Sequence, residues 1–179
     1  MAWTAPPTAI ANTALAAATW NAGVRDNLLE TAPAKASKAG SLFVSDGVNS
    51  IVERTIGFDE VLTAQQSSST TYDDLATVGP QVTVDTGTRA LYILSAQSGH
   101  SANNSAVRTS IEVTGATSIS PADSREMLID GLPGGQALTV SWAHLETQLN
   151  PGSNTFTMKY RVTVGTGTWS ERRLIVLPF

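Results

Sequence analysis

Residues 156–164 read FTMKYRVTV and carry the clearest β-strand pattern in this chain. Phe156, Met158 and Tyr160 place apolar side chains at every second position, with polar side chains between them. A period of two indicates a strand with one buried face and one exposed face. We therefore expect a half-buried strand in which the apolar face continues as far as Val164.

Further strand patterns and turn signals lie on both sides of this stretch. The Gly-Thr-Gly sequence at 165–167 predicts a tight hairpin, because glycine adopts the backbone angles that such turns require. We expect a last strand over 169–177. Earlier strands are expected over 61–65, 81–85, 89–97, 107–113, 127–132 and 138–142.

Two of these segments are informative about packing. Range 89–97 is almost wholly apolar, as in a strand covered on both faces. Range 98–105 is rich in Ser, Gly and Asn and predicts a polar loop. About eight short strands with short connections are typical of two antiparallel sheets packed face to face. Residues 59–179 are therefore predicted to form a mainly β, antiparallel sandwich of jelly-roll or related Greek-key type.

The chain before the sandwich divides into two segments. Residues 1–33 predict an N-terminal anchoring arm with one short helix over 12–30, in which Thr13 is the expected N-cap and Pro33 ends the helix. Residues 34–58 predict an extended linker with a turn at Ser45-Asp46-Gly47.

The arm carries an apolar stripe that needs a partner. Trp20, Val24 and Leu28 stand four residues apart and share one face of the predicted helix. Because so short a helix is marginal in water, this stripe must dock on the body or on a neighbouring subunit. Together with Trp3 these residues are the predicted subunit or shell docking residues, since aromatic anchors are typical of interfaces.

Composition excludes several classes of function. The sequence has 15% charged residues and no cysteine, so neither a disulfide framework nor a thiolate metal site is expected. Lys and Arg are not clustered, which argues against binding to nucleic acid. No apolar run is long enough to span a membrane, and the N-terminus has no secretory signal pattern. Two interpretations of the low charge remain open, namely extensive contact with other subunits or an extracellular β domain with Thr-rich strands.

No catalytic, cofactor or metal site is predicted. His100 and His144 lack the local pairing of zinc ligands, and no Gly-x-Ser-x-Gly motif is present. Asp73-Asp74 is more typical of a solvated or capping pair than of a glycosidase. The chain is therefore predicted not to be an enzyme. His100, Asn103 and Asn104 lie in the predicted polar loop and are candidates for contact with a partner.

Four aromatic residues allow two interpretations. Trp142, Trp169, Tyr160 and Tyr92 could form a platform on which a sugar stacks, or they could belong to the core. Trp142 shares its predicted face with Leu138 and Val140, which favours the core.

Several stretches of the sequence form a recognisable series, namely Trp3 with Pro6, 19–21 (TWN), 24–28 (VRDNL), 38–44 (KAGSLFV), 69–75 (STTYDDL), 79–80 (GP), 151–156 (PGSNTF) and 160–161 (YR). This series resembles structural proteins of tailed bacteriophages, especially those that infect actinobacteria. Ser41 stands where this kind of segment usually has aspartate. The resemblance covers most of the chain.

The resemblance implies a virion component, often a homotrimer, that is assembled in the host cytoplasm and has no catalytic residues. A capsid decoration or head-fibre protein is the first expectation, with the major capsid protein or another virion protein as its partner. The alternative is a minor tail or receptor-binding protein that contacts a host surface glycan or protein. A carbohydrate-binding or enzymatic module is the third hypothesis, and it requires an exposed aromatic face or a polar cleft.

Overall fold

A computed structural model describes residues 5, 8, 10–14, 16–103 and 105–179. The chain separates into two compact units, one that runs up to Thr55 and one that spans Ile56–Pro178. The second unit contains the sandwich, whose first strand begins at Gly57.

The first unit begins with a helical segment. It consists of α1 (Ala17–Trp20), a π-helical turn (Asn21–Arg25) and α2 (Asp26–Leu29). The predicted N-cap at Thr13 is wrong, because the helix starts after Ala16, which makes no side-chain cap. Pro33 does not end this helix, because it lies in the first turn of α3 (Ala32–Lys35). Proline is tolerated there because its missing N–H has no helical partner in a first turn.

A β-hairpin completes the described part of this unit. Strands β1 (Leu42–Gly47) and β2 (Ser50–Arg54) pair in antiparallel fashion. The predicted turn at 45–47 is wrong, because these residues belong to β1 and the chain reverses after them. Asn49 adopts a φ of 56° at the reversal, a left-handed conformation that asparagine tolerates.

The described residues of the second unit form nine strands that follow one another along the chain. They are β3 (Gly57–Val61), β4 (Gln65–Ser67), β5 (Gln81–Thr86), β6 (Ala90–His100), β7 (Ala106–Gly115), β8 (Glu126–Asp130), β9 (Ala137–Glu146), β10 (Gly152–Val162) and β11 (Gly167–Pro178). One sheet has the order β5-β10-β7-β8, and the other has the order β3-β11-β6-β9 with β4 also paired to β11. This is the jelly-roll connectivity, and all pairs are antiparallel. The predicted fold class is confirmed.

The core lies between the two sheets. Phe156, Met158, Tyr160 and Val162 on β10 are 0% exposed, which confirms the predicted alternation. Burial of each such side chain contributes roughly 1.5–3 kcal/mol. Val164 does not continue this face, because it follows β10 and is 53% exposed.

The predicted hairpin at 165–167 is wrong. Strand β10 is paired with β5 on one side and with β7 on the other, so β10 has no free edge for the next strand. Strand β11 instead enters the other sheet between β3 and β6. The connection therefore crosses from one sheet to the other.

Two other strand predictions need correction. Residues 61–65 do not form a strand, because they contain the break between β3 and β4, and Leu62 there is 52% exposed. Range 89–97 is not covered on both faces, because buried and half-buried side chains alternate along β6. This strand also extends to His100, so the following loop is shorter than predicted.

Strand β11 contains an irregularity with consequences for the core. Its register with β6 shifts between Ser170 and Arg173, and Glu171 adopts a φ of 48°. One extra residue in a strand moves the following side chain to the other face. Trp169 and Arg172 consequently both point into the sandwich, where each is 0% exposed.

Candidate functional sites

The described docking residues of the N-terminal unit present apolar surface. Trp20 is 53% exposed and Leu28 is 62% exposed, whereas Val24 is half-buried. Leu29, the neighbour of Leu28, is also 53% exposed. Trp3 lies outside the described residues. No described residue up to Thr55 is fully buried, so the described part of this unit contains no apolar core.

The predicted partner-facing loop is only partly a loop. His100 is the last residue of β6 and only 3% of it is exposed, so it is a buried strand residue and not a loop residue. It is buried because β6 stays paired with β11 up to the Gly167–His100 position. Asn103 is exposed, and its side-chain oxygen accepts a hydrogen bond from the Gly134 N–H at 2.8 Å. Asn104 lies outside the described residues.

A polar groove of about 480 Å³ lies at this end of the sandwich. In register across the sheet, Gln66, Thr168, Gly99 and Ala137 form its base. Its remaining lining residues are His100, Ser101, Gly135, Gln136 and Thr166. Gly99 is required here, because a Cβ would overlap the carbonyl oxygen of Gln136. Its described lining residues offer amide and hydroxyl groups and the His100 imidazole, and they include no carboxylate, lysine or arginine.

The four aromatic residues belong mainly to the core. Tyr92, Tyr160 and Trp169 are at most 1% exposed, so they cannot form a sugar-stacking platform. Trp169 also donates a hydrogen bond from Nε1 to Thr109 Oγ1 at 3.1 Å. Trp142 is half-buried and stacks on His144, with ring centroids 5.2 Å apart.

An ionic cluster covers part of the outer face of the β5-β10-β7-β8 sheet. Arg161 donates a hydrogen bond to Asp123 at 2.6 Å and lies 5.2 Å from the ring centroid of Tyr72. Tyr72 Oη donates to Glu126 Oε2 at 2.7 Å, and Arg108 pairs with the same Glu126 carboxylate. Cations and carboxylates thus neutralise one another within the cluster.

The electrostatics of this cluster follow from its contacts. The hydrogen bond from Arg161 lowers the pKa of Asp123 and keeps it ionised. Burial, and then the hydrogen bond to Glu126, raise the pKa of Tyr72. Lys159 on the same face pairs with Asp74 at 2.7 Å and Glu112 at 3.1 Å. One member of the predicted acidic pair therefore belongs to an ion pair.

Arg172 is a buried cation that sequence reasoning missed. Its guanidinium donates to Gly79 O at 2.9 Å and to Gln65 Oε1 at 2.8 Å. It also lies over the Tyr160 ring, 5.4 Å from the centroid. Alternation alone could not identify it, because the bulge at Glu171 changes which residues of β11 point inward.

Among the residues that the structure describes, no group of three His, Asp or Glu residues is arranged to hold a metal ion. Within the same residues, no helix is both long and apolar enough to cross a membrane.

Comparison with known proteins gives distant structural likenesses only. No protein-family model matches the chain, and no curated protein matches it. Eiger TNF from S. frugiperda has 11% identity and a TM-score of 0.49, over 70% of this chain and 92% of that chain. The VP2 subviral particle of infectious bursal disease virus also has 11% identity and a TM-score of 0.49, over 74% of this chain and 36% of that chain. A carbohydrate-binding module of Cellvibrio mixtus lichenase 5A has 14% identity and a TM-score of 0.32, over 68% of this chain and 90% of that chain.

These likenesses are too weak to support an argument about function. The class of this protein is defined by its own strand pairing, as a jelly-roll sandwich that follows a small unit of helices and a hairpin.

Proposed function

We propose that this chain is a non-enzymatic structural protein of a virus particle, of the capsid decoration or head-fibre type of tailed bacteriophages. In this proposal the N-terminal unit attaches to the particle and the jelly roll projects from it. The chain forms a homo-oligomer, a trimer by its resemblance to phage proteins, and its partner is the major capsid protein or another virion protein.

The observation that carries the proposal is the exposed apolar surface of the N-terminal unit. Trp20, Leu28 and Leu29 are each more than half exposed, and no described residue in this part of the chain is fully buried. Covering the exposed half of such a side chain contributes roughly 1 kcal/mol. A docking partner would therefore gain about 3 kcal/mol from these three side chains, which corresponds to about a hundredfold in affinity.

The proposal is tested by adding purified protein to particles that lack it. Wild-type protein is expected to bind heads at saturating, symmetric sites, and the double variant Trp20→Ala, Leu28→Ala is expected to bind with an affinity lowered about thirtyfold. Thr19→Ala is the matched control, because Thr19 is exposed on the same helix. Equal binding of the double variant and the control would refute attachment through this surface. Binding to tails and not to heads would refute the head assignment.

A second candidate is a minor tail or receptor-binding protein, which the polar groove favours. Its hydroxyl and amide groups suit a neutral polyhydroxyl ligand such as a surface glycan, and a volume of about 480 Å³ lies within the usual range for ligand pockets. Binding of the full-length protein to isolated host envelopes tests this candidate, with Gln136→Ala as the groove variant and Leu128→Ala, on the other sheet, as the control. Absence of envelope binding would rule it out.

A further inference from the structure

The two outer faces of the sandwich differ in charge. On the β5-β10-β7-β8 sheet, charged side chains point outward from every strand, and they are Asp85, Arg108, Glu112, Glu126, Asp130, Lys159 and Arg161. Within the strands of the other sheet, the outward charges are Arg173 and Glu60, which pair at 3.1 Å, and Glu171 at the bulge. The first face carries the many charged side chains that are typical of a surface in water, whereas the second face carries few.

Strand register assembles an apolar surface on that second face. One row across the sheet consists of Leu145, Leu91 and Leu177. The next row consists of Ala143, Ile93, Ile175 and Phe58. Phe58 and Leu145 at the two edges are 57% and 47% exposed, and the central residues are half-buried. We refer to these two rows as the apolar rows.

Neutral polar residues extend this surface along the strands. Ser95 and Ser141 lie in register beside the Arg173–Glu60 pair, followed by Gln97 and Thr139. Such hydroxyl and amide groups can form hydrogen bonds across an interface without adding net charge. The apolar rows and this border form one continuous neutral face.

We propose that this neutral face is a contact surface for a second copy of this chain. Each copy carries a formal net charge of −4, so two copies would approach most easily through a face whose own charges are paired. The apolar rows carry no charge and are chemically complementary to themselves, and depletion of charge is typical of the centre of subunit interfaces. Contact of this face with itself closes as a dimer, so the inference adds a twofold contact to the proposed trimer and does not depend on where the protein attaches.

The size of the face sets the expected strength of association. Four strands spaced about 4.8 Å apart and the seven residues of β6 from Leu91 to Gln97, at about 3.3 Å each, give a surface of roughly 440 Å² per copy. Stable interfaces bury about 800 Å² per partner, so this contact alone belongs to the small, weak class. We therefore expect reversible association in the micromolar range.

Sedimentation velocity of the full-length protein, up to about 100 µM, tests the proposal. Wild-type protein is expected to reach at least twice the chain mass of 18.7 kDa. Leu145→Glu places a charge among the apolar rows, on an exposed edge position that tolerates it in the folded chain. It is expected to raise the dissociation constant at least about tenfold, since an unpaired charge is buried in each copy.

The matched control is Leu128→Glu, which introduces the same charge at a 43% exposed outward position of β8 on the other sheet. It is expected to associate like the wild type, and circular dichroism checks that both variants fold. A wild type that stays at 18.7 kDa at all concentrations would overturn the proposal, even if another virion protein binds this face. Equal association of the two variants would also overturn it, and neither result would bear on attachment to the particle.

Discussion

Replacement of Arg172 tests whether a buried cation without a carboxylate partner stabilises this sandwich. Its side chain is 0% exposed, and the hydrogen bonds that it donates within the described residues go to neutral groups. Both main acceptors have a second donor, since Gly79 O also accepts from Tyr160 Oη at 2.8 Å and Gln65 Oε1 from the Thr77 N–H at 3.2 Å. Removing Arg172 therefore does not leave them without any partner.

Arg172 makes opposing contributions to the free energy of unfolding. Arg172→Met loses two hydrogen bonds from a charged donor, at about 1.5–3 kcal/mol each, and a desolvated cation–π contact of about 2 kcal/mol. It also removes the cost of burying a cation, which is several kcal/mol. The net loss is expected to be about 1.5 kcal/mol. Arg172→Lys keeps a buried cation but loses the planar fork and the ring contact, so it is expected to cost about 3–4 kcal/mol.

Urea unfolding of the full-length chain, followed by circular dichroism, measures these free energies of unfolding. Arg172→Ala is a third variant and is expected to cost about 3–4 kcal/mol, because it adds a cavity to the lost contacts. The order of stability should be wild type, then Met, then Lys and Ala. A Lys variant as stable as the Met variant, or more stable, would refute the reasoning.

Three further outcomes follow from contacts described by the structure. Gly99→Ala is expected to destabilise the sandwich by about 2–4 kcal/mol in the same assay, because its Cβ would collide with the Gln136 backbone. A change in the free energy of unfolding below about 1 kcal/mol would contradict this. Asn154→Ala is expected to lower the free energy of unfolding by about 3 kcal/mol. The buried Asn154 side chain accepts a hydrogen bond from the Thr117 N–H at 2.8 Å and donates to neighbouring oxygens. Asn150→Ala, at a more exposed position, is the control variant. Hydrogen bonds from Ser37 and Ser41 lower the pKa of Glu53 from 4.5 to about 2, so the stabilisation they give the hairpin is complete above pH 4.5 and is lost as the pH falls towards 2. A carboxyl titration of Glu53 by NMR checks this, and a midpoint near 4.5 would contradict it.

Prediction from the sequence was most accurate for features that depend on local alternation of apolar and polar residues. Strand β10 was identified with its buried face, because Phe156 to Val162 keep a strict period of two. The connection to β11 was mispredicted, because alternation shows which face of a strand is buried but not which sheet the strand joins. That choice depends on whether β10 has a free edge, and its edges are occupied by strands from distant parts of the chain.

The candidate sites depend still more on pairing between strands that are distant in the sequence, so they were harder to predict. His100 looked like a loop residue from its Ser, Gly and Asn neighbours, but pairing of β6 with β11 keeps it in a strand. The apolar rows combine residues from four strands, and no single strand shows them. The exposure of Trp20 and Leu28, in contrast, agrees with the predicted apolar stripe on the helix. The partner that binds this stripe stays a prediction.

The position of β11 also has a consequence for how the sandwich folds. Strands β3 and β6 are separated in the sheet by β11, although they precede it in the chain by many residues. Until β11 emerges from the ribosome, β6 exposes an unpaired edge, and the core that Trp169 and Leu174 complete stays open to water. Such late, long-range pairing slows folding and prolongs the period in which nascent chains can aggregate. We therefore expect the sandwich to form after synthesis of β11 in a single late step, and not progressively from its first strands.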